Sequence, residues 1–133
     1  KEDAAMLTNP GENLSLMAGT MVQVQPAEIL LDSEDTAYEA AGLRFVILHT
    51  PGHTPGGICL HAPNEQLVFA GDTLFSGSIG RTDFPGGSHR ELISSIQQKL
   101  LILPPETVVW PGHGYGGSRS TIGEERRSNP YLR

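Results

Sequence analysis

The sequence has a single cysteine, Cys59, in 133 residues. One thiol excludes an intramolecular disulfide framework and any zinc site built from several cysteines, and it fits a reducing, cytoplasmic setting. Basic residues are also scarce, with nine Lys and Arg against 15 Asp and Glu for a net charge of −6. That balance excludes the broad basic surface used to neutralise nucleic-acid phosphates, so no nucleic-acid partner is expected. Long hydrophobic runs are missing as well: no uninterrupted apolar stretch exceeds about five residues, far short of the roughly 20 that span a bilayer. No membrane partner is expected either.

Apolar residues at 38% and charged residues at 18% can build a core, and the length fits one domain. The sequence begins with Lys1 instead of Met, and residues 1–7 (KEDAAML) read like the middle of a helix. It therefore reads as beginning part-way through a larger protein. Turn formers are plentiful: 16 glycines and 10 prolines make up about a fifth of the chain.

Hydrophobic periodicity divides the chain into elements. Residues 1–20 predict a helix fragment and a loop, with Asn9-Pro10-Gly11 as the stop. Val22 and Val24 alternate with Gln23 and Gln25, predicting a short half-buried strand. Three clearer strands are predicted at 43–48 (LRFVIL), 58–61 (ICLH) and 67–70 (LVFA), the last as a buried central strand. A fourth run of the same kind covers 107–110 (TVVW). One helix starts at a capping box, Ser88-His89-Arg90-Glu91, and places Leu92, Ile93, Ile96, Leu100 and Leu101 on one face before Pro104-Pro105. A shorter last helix is capped by Thr121 and Glu124 and closed by Asn129-Pro130. Strands interleaved with a strong helix predict an α/β fold.

Three strands share one device. Residues 43–48 lead to Pro51-Gly52-His53, residues 67–70 to Gly71-Asp72, and residues 107–110 to Pro111-Gly112-His113. Each time a strand ends, a glycine turns the chain and a candidate metal ligand follows. Two imidazoles and one carboxylate suit zinc, iron(II) or manganese. The three are too far apart in sequence for a finger-type loop, so only neighbouring strands can bring them together. Three protein donors also leave coordination open for water, the mark of a catalytic site.

The remaining candidates read as structural. His49 lies on the same approach as His53 and reads as a supporting residue. His61 and His89 read as solvated, Cys59 as a small core residue, and Trp110 as core. Tyr115 and Trp110 flank His113 and are candidates for lining the site, with core the preferred reading of Trp110.

Thr50-Pro51-Gly52-His53-Thr54-Pro55-Gly56, Gly71-Asp72-Thr73-Leu74-Phe75 and Pro111-Gly112-His113-Gly114 resemble, in order, the later motifs of the metallo-β-lactamase fold superfamily. Gly80-Arg81-Thr82-Asp83-Phe84 and the Glu125-Arg126…Asn129-Pro130 ending narrow the resemblance to glyoxalase II-like hydrolases and their persulfide dioxygenase relatives. The resemblance covers essentially the whole chain. It implies the C-terminal part of an αββα sandwich with a metal centre at one edge of the paired sheets. It also implies that His53 completes a first metal site, Asp72 bridges two metals and His113 serves the second. The family's other ligands come from an H-x-H-x-D-H motif that this sequence does not contain. The expected chain is thus a single, N-terminally incomplete domain.

The activity implied is hydrolysis of a thioester, such as a hydroxyacyl-thiol, by water activated on two zinc ions, with iron or manganese as alternative metals. Arg81 matches the basic residue that holds an anionic part of the substrate, and pairing with Asp83 is the competing reading. Arg81-Thr82-Asp83-Phe84 looks more like the persulfide dioxygenases, which makes iron-dependent persulfide oxidation the rival enzyme reading. A metal-poor, inactive module is the rival of another class. The expected partners are a small anionic thioester and a second copy of the chain, bound through the face the missing part leaves uncovered.

Overall fold

The computed structural model describes residues 1–31, 37–114 and 119–133. Tyr115 lies outside the described residues. The chain divides into two compact units, residues 1–33 and 34–133.

The first unit is a looped segment tied by polar side chains. Its helical part is a single 3-10 turn, Ala4–Leu7. The Asn13 side-chain amide donates to the carbonyls of Met6 and Val22, both at 2.8 Å. Ser15 Oγ accepts from the Val22 N–H at 3.0 Å, and Val24 N–H donates to Leu7 O at 2.8 Å. The strand expected at Val22 and Val24 is therefore not formed. The segment bonds to side chains and a single carbonyl instead of a neighbouring strand, and both valines are about half exposed.

The second unit meets the α/β expectation. Its strands are β1 (Ala37–Ala40), β2 (Leu43–His49), β3 (Ile58–Ala62), β4 (Leu67–Gly71), β5 (Leu74–Phe75), β6 (Ser78–Ile79), β7 (Val108–Pro111) and β8 (Ser120–Thr121). Six form one sheet in the order β1-β2-β3-β4-β7-β8, while β5 and β6 make a separate hairpin. Helix α1 (His89–Ser95) runs on into a π-helical turn, Ile96–Leu100, and α2 (Ile122–Ser128) follows β8. Only β4 and β7 pair in parallel; the other sheet neighbours are antiparallel. A parallel pair needs a long crossover, and here the crossover carries the β5–β6 hairpin and α1.

The core lies on one face of the sheet. Leu48, Cys59, Val68, Ala70 and Val109 point from the strands onto Leu92, Ile96, Leu100 and Ile122. The apolar stripe of α1 is therefore the buried one, as its spacing predicts. The N-terminus of α1 is capped by Ser88 Oγ, which accepts from Glu91 N–H at 3.3 Å. The returning half of the expected box is replaced by a tertiary bond: Ser88 N–H donates to Gly52 O at 2.8 Å. At α2 both halves form, between Thr121 and Glu124.

The opposite face is only partly covered. Ile47 is buried, but Phe69 is 41% exposed and Trp110 38%. β4 is central in the sheet yet not buried on both faces, and Trp110 is not a core residue. His61 also departs from expectation: it sits within β3 between Val46 and Val68, half-buried, and burial pushes its pKa down.

Candidate metal centre

Strand direction explains why three distant residues meet. β2 is antiparallel to β3, β3 is antiparallel to β4, and β4 is parallel to β7. β2, β4 and β7 therefore run the same way and end at the same edge of the sheet. His53, Asp72 and His113 follow those three ends. Asp72 Oδ2 lies 3.5 Å from His53 Nε2 and 3.2 Å from His113 Nε2.

The glycines at these ends act in two ways. Gly52 holds φ +137°, and a Cβ there would lie 2.3 Å from Leu92 N, so a side chain would drive α1 off the sheet. Gly112 instead provides space. A Cβ there would lie 2.7 Å from Asp72 Oδ1, while its N–H donates to Gly71 O at 2.7 Å and joins the ends of β4 and β7.

Beneath Asp72, Thr50 Oγ1 lies 3.1 Å from Thr73 Oγ1 and 3.4 Å from Cys59 Sγ, all buried. This network ties the loop carrying His53 to the turn carrying Asp72. Cys59 is a core residue as expected, its thiol pKa pushed up by burial. His49 is a supporting residue: its Nε2 bonds Pro55 O at 2.9 Å, and its carbonyl accepts from Lys99 Nζ at 2.7 Å. Both contacts hold the loop between β2 and β3. His89 is exposed.

The tautomer of His53 follows from its partner. Nδ1 lies 2.7 Å from Arg81 O. A carbonyl oxygen only accepts, so Nδ1 carries a proton and donates. In the neutral ring, Nε2 is then a lone pair facing the Asp72 carboxylate. Nε2 and the Asp72 carboxylate thus both present lone pairs, the donor atoms that a cation takes. The outer N–H bonded to a carbonyl is also how a ligating histidine is oriented.

The spacing suits a shared cation. Donors at about 2.0–2.2 Å from a tetrahedral zinc sit roughly 3.4 Å from one another, against 3.5 and 3.2 Å here. Among the described residues, no group of three or more His, Cys, Asp or Glu side chains is by itself placed to hold one ion. The donors instead form two pairs that share Asp72.

His53, Asp72 and His113 open into a cavity of about 430 Å³, whose other walls include Phe75, Ile79, Arg81 and Phe84. That volume falls in the small-molecule range. Trp110 is not among the lining residues. Of the two expectations for Arg81, the pairing with Asp83 is formed, by two bonds at 2.7 and 2.6 Å. Arg81 also lines the cavity, its guanidinium 4.0 Å from the centre of the Phe84 ring. Those bonds hold the Asp83 carboxyl down to about 2.

Glu125 in α2 and Asn129, which caps its C-terminus, stand among the family motifs named above but carry no role there. They are 2% and 1% exposed, and both bond to the β5–β6 hairpin.

Among the described residues no helix is long and apolar enough to cross a membrane.

Comparison with known proteins bears on the family and the fold. Residues 1–113 match the Metallo-beta-lactamase superfamily. An uncharacterized protein of Mycobacterium tuberculosis is 44% identical over 98% of this chain and 61% of its own length. Hydroxyacylglutathione hydrolase GloC of Haemophilus influenzae is 53% identical over 68% of this chain and 42% of its own length. Among solved structures, the BLEG-1 B3 metallo-beta-lactamase superposes with a TM-score of 0.90 at 38% identity, covering 99% of this chain and 62% of that one. TTHA1623 in a di-iron-bound form gives 0.72 at 40% identity, covering 92% and 58%. ETHE1 from Myxococcus xanthus gives 0.68 at 38% identity, covering 83% and 45%. The chain thus spans about three fifths or less of these relatives. With the family match over most of its length, the chain belongs to the metallo-beta-lactamase superfamily.

Proposed function

We propose that the protein is a metal-dependent hydrolase of small anionic thioesters, of the hydroxyacyl-thiol kind. The observation that carries this reading is the pair of imidazoles directed at one oxygen of Asp72, with the His53 tautomer set by Arg81 O. Similarity to GloC supports the thioester class. Zinc, two ions in the intact site, suits the nitrogen and oxygen donors, and iron or manganese suits them too. A bound metal supplies hydroxide near neutral pH and polarises a carbonyl oxygen.

The chain's own residues do the remainder. His53 and His113 would each hold one ion, and Asp72 would serve both. Phe75, Ile79 and Phe84 give the cavity an apolar wall that excludes bulk water. Arg81, on the rim, orients an anionic group of the substrate. A cytoplasmic setting belongs to the same reading, supported by Cys59 being a buried free thiol.

A second reading, iron-dependent oxidation of a persulfide, is favoured by the Arg81-Thr82-Asp83-Phe84 stretch and by the likeness to ETHE1 and the di-iron form of TTHA1623. One experiment separates the two. The protein is loaded with zinc or iron and offered a hydroxyacylglutathione thioester, or a glutathione persulfide with an oxygen electrode. Thiol release that needs metal, ignores oxygen and disappears in Asp72→Ala supports hydrolysis. Oxygen uptake matched to persulfide loss, without thioester cleavage, overturns it. The 133-residue chain alone is expected to turn over far more slowly than a full-length relative, because three donors split between two sites, with only Asp72 shared, would leave each ion under-coordinated.

The partly exposed face with Phe69 and Trp110 adds one further element to the reading: this chain alone self-associates through it. Sedimentation of a Phe69→Ser, Trp110→Ser variant beside the parent tests this. A parent that is monomeric at all concentrations contradicts it.

A further inference from the structure

The Glu125…Asn129 ending has no part in the chemistry proposed above, yet it places a carboxylate and a carboxamide in the interior. Burying a carboxylate is costly unless hydrogen bonds satisfy it. Both Glu125 oxygens accept from the Gly77 N–H, at 3.3 and 3.1 Å. Asn129 Nδ2 donates to Glu125 Oε2 at 2.7 Å and to Ser78 O at 3.1 Å. Asn129 Oδ1 meanwhile accepts from Tyr131 N–H at 3.0 Å, which fixes the orientation of the carboxamide. Every one of the contacts to the hairpin falls on Gly77 or Ser78, its turn and the start of β6.

That hairpin reaches all three candidate ligands. Phe75 on β5 stacks at a tilt against His113, with ring centroids 6.2 Å apart. Past β6, Gly80 lies so close to Asp72 that a Cβ there would overlap the Asp72 carbonyl oxygen. The next residue, Arg81, supplies the carbonyl that accepts from His53 Nδ1. A strand pair of two residues each cannot hold such a register alone.

We propose that Glu125 and Asn129 are positioning residues for the metal centre, a buried clamp from α2 that fixes the β5–β6 hairpin and through it the orientation of His53 and His113. The metal part of this statement rests on the function proposed above. The orientation of His53 does not, and the test keeps them apart.

Glu125→Ala, Glu125→Gln and Asn129→Ala are compared with Thr121→Ala, which removes the cap of the same helix but none of the bonds to the hairpin. Three quantities are read: the melting temperature, cobalt(II) affinity by chelator competition, and exchange protection of the His53 Nδ1 proton by NMR. Loss of a partner that orients ligands lowers metal affinity about 10- to 100-fold. That loss is expected for Glu125→Ala and Asn129→Ala, together with loss of the protected Nδ1 proton. Glu125→Gln, which keeps an acceptor for Gly77, recovers most of both. Thr121→Ala lowers the melting temperature and leaves affinity and proton within twofold of the parent. If Glu125→Ala does not fold, Glu125→Gln and Asn129→Ala decide by the same comparison. Parent-like affinity and protection in Glu125→Ala and Asn129→Ala, or an equal loss in Thr121→Ala, overturns the proposal. A parent that binds no cobalt overturns the function above, and the Nδ1 proton then decides the clamp by itself.

Discussion

His53 and Arg81 are coupled through the main chain: the Arg81 carbonyl accepts from His53 Nδ1 at 2.7 Å, while the Arg81 guanidinium turns to the cavity and to Asp83. One residue thus orients a candidate ligand with its backbone and lines the cavity beside it.

Arg81→Ala separates those roles. The carbonyl remains, so metal affinity should stay within about twofold of the parent, whereas KM for an anionic thioester should rise about tenfold. Kinetics on a charged and an uncharged acyl thioester check this. An equal KM rise for both substrates would remove Arg81 from anion recognition.

The Arg81–Asp83 pair sets a pH expectation. Its bonds hold the folded Asp83 carboxyl at about 2 against an ordinary 3.8. A depressed carboxyl contributes above its unfolded value and loses that contribution as pH falls through the folded one. The pair should therefore be complete above pH 4 and break towards pH 2. Carbon NMR of the Asp83 carboxyl should titrate near 2, and a midpoint near 3.8 would mean that the pair does not form in solution. Both side chains are exposed, so global stability should hardly notice.

Gly112→Ala tests the space beside Asp72. The new Cβ would press on Asp72 Oδ1 from 2.7 Å and on Gly71 O from 3.2 Å. Gly112 is itself exposed, so melting should change little while metal affinity falls at least about tenfold, as when a ligand loses its orientation. Metal competition and calorimetry on the same sample measure both.

Much of this site is legible in the sequence because each ligand follows a strand of clear hydrophobic pattern. β2, β3, β4, β7 and α1 carry that pattern, and the glycines before His53, Asp72 and His113 mark where the strands stop. What is not legible depends on tertiary partners. Val22 and Val24 alternate like a strand, but their main chain bonds to Asn13, Ser15 and Leu7 instead of a sheet edge. β5 and β6 are two residues each, too short for a period to show. Trp110 has the composition of core, yet it sits on the less covered face of the sheet. Glu125 has the composition of surface, and only Gly77 and Asn129 explain its burial.

The shared role proposed for Asp72, between His53 and His113, is open to a single measurement: titration of zinc into the protein and into Asp72→Ala. Metal uptake by the parent is expected, with a loss in the variant greater than the roughly 10- to 100-fold that removal of a merely orienting partner costs. Asp72→Ala binding zinc as tightly as the parent would contradict it.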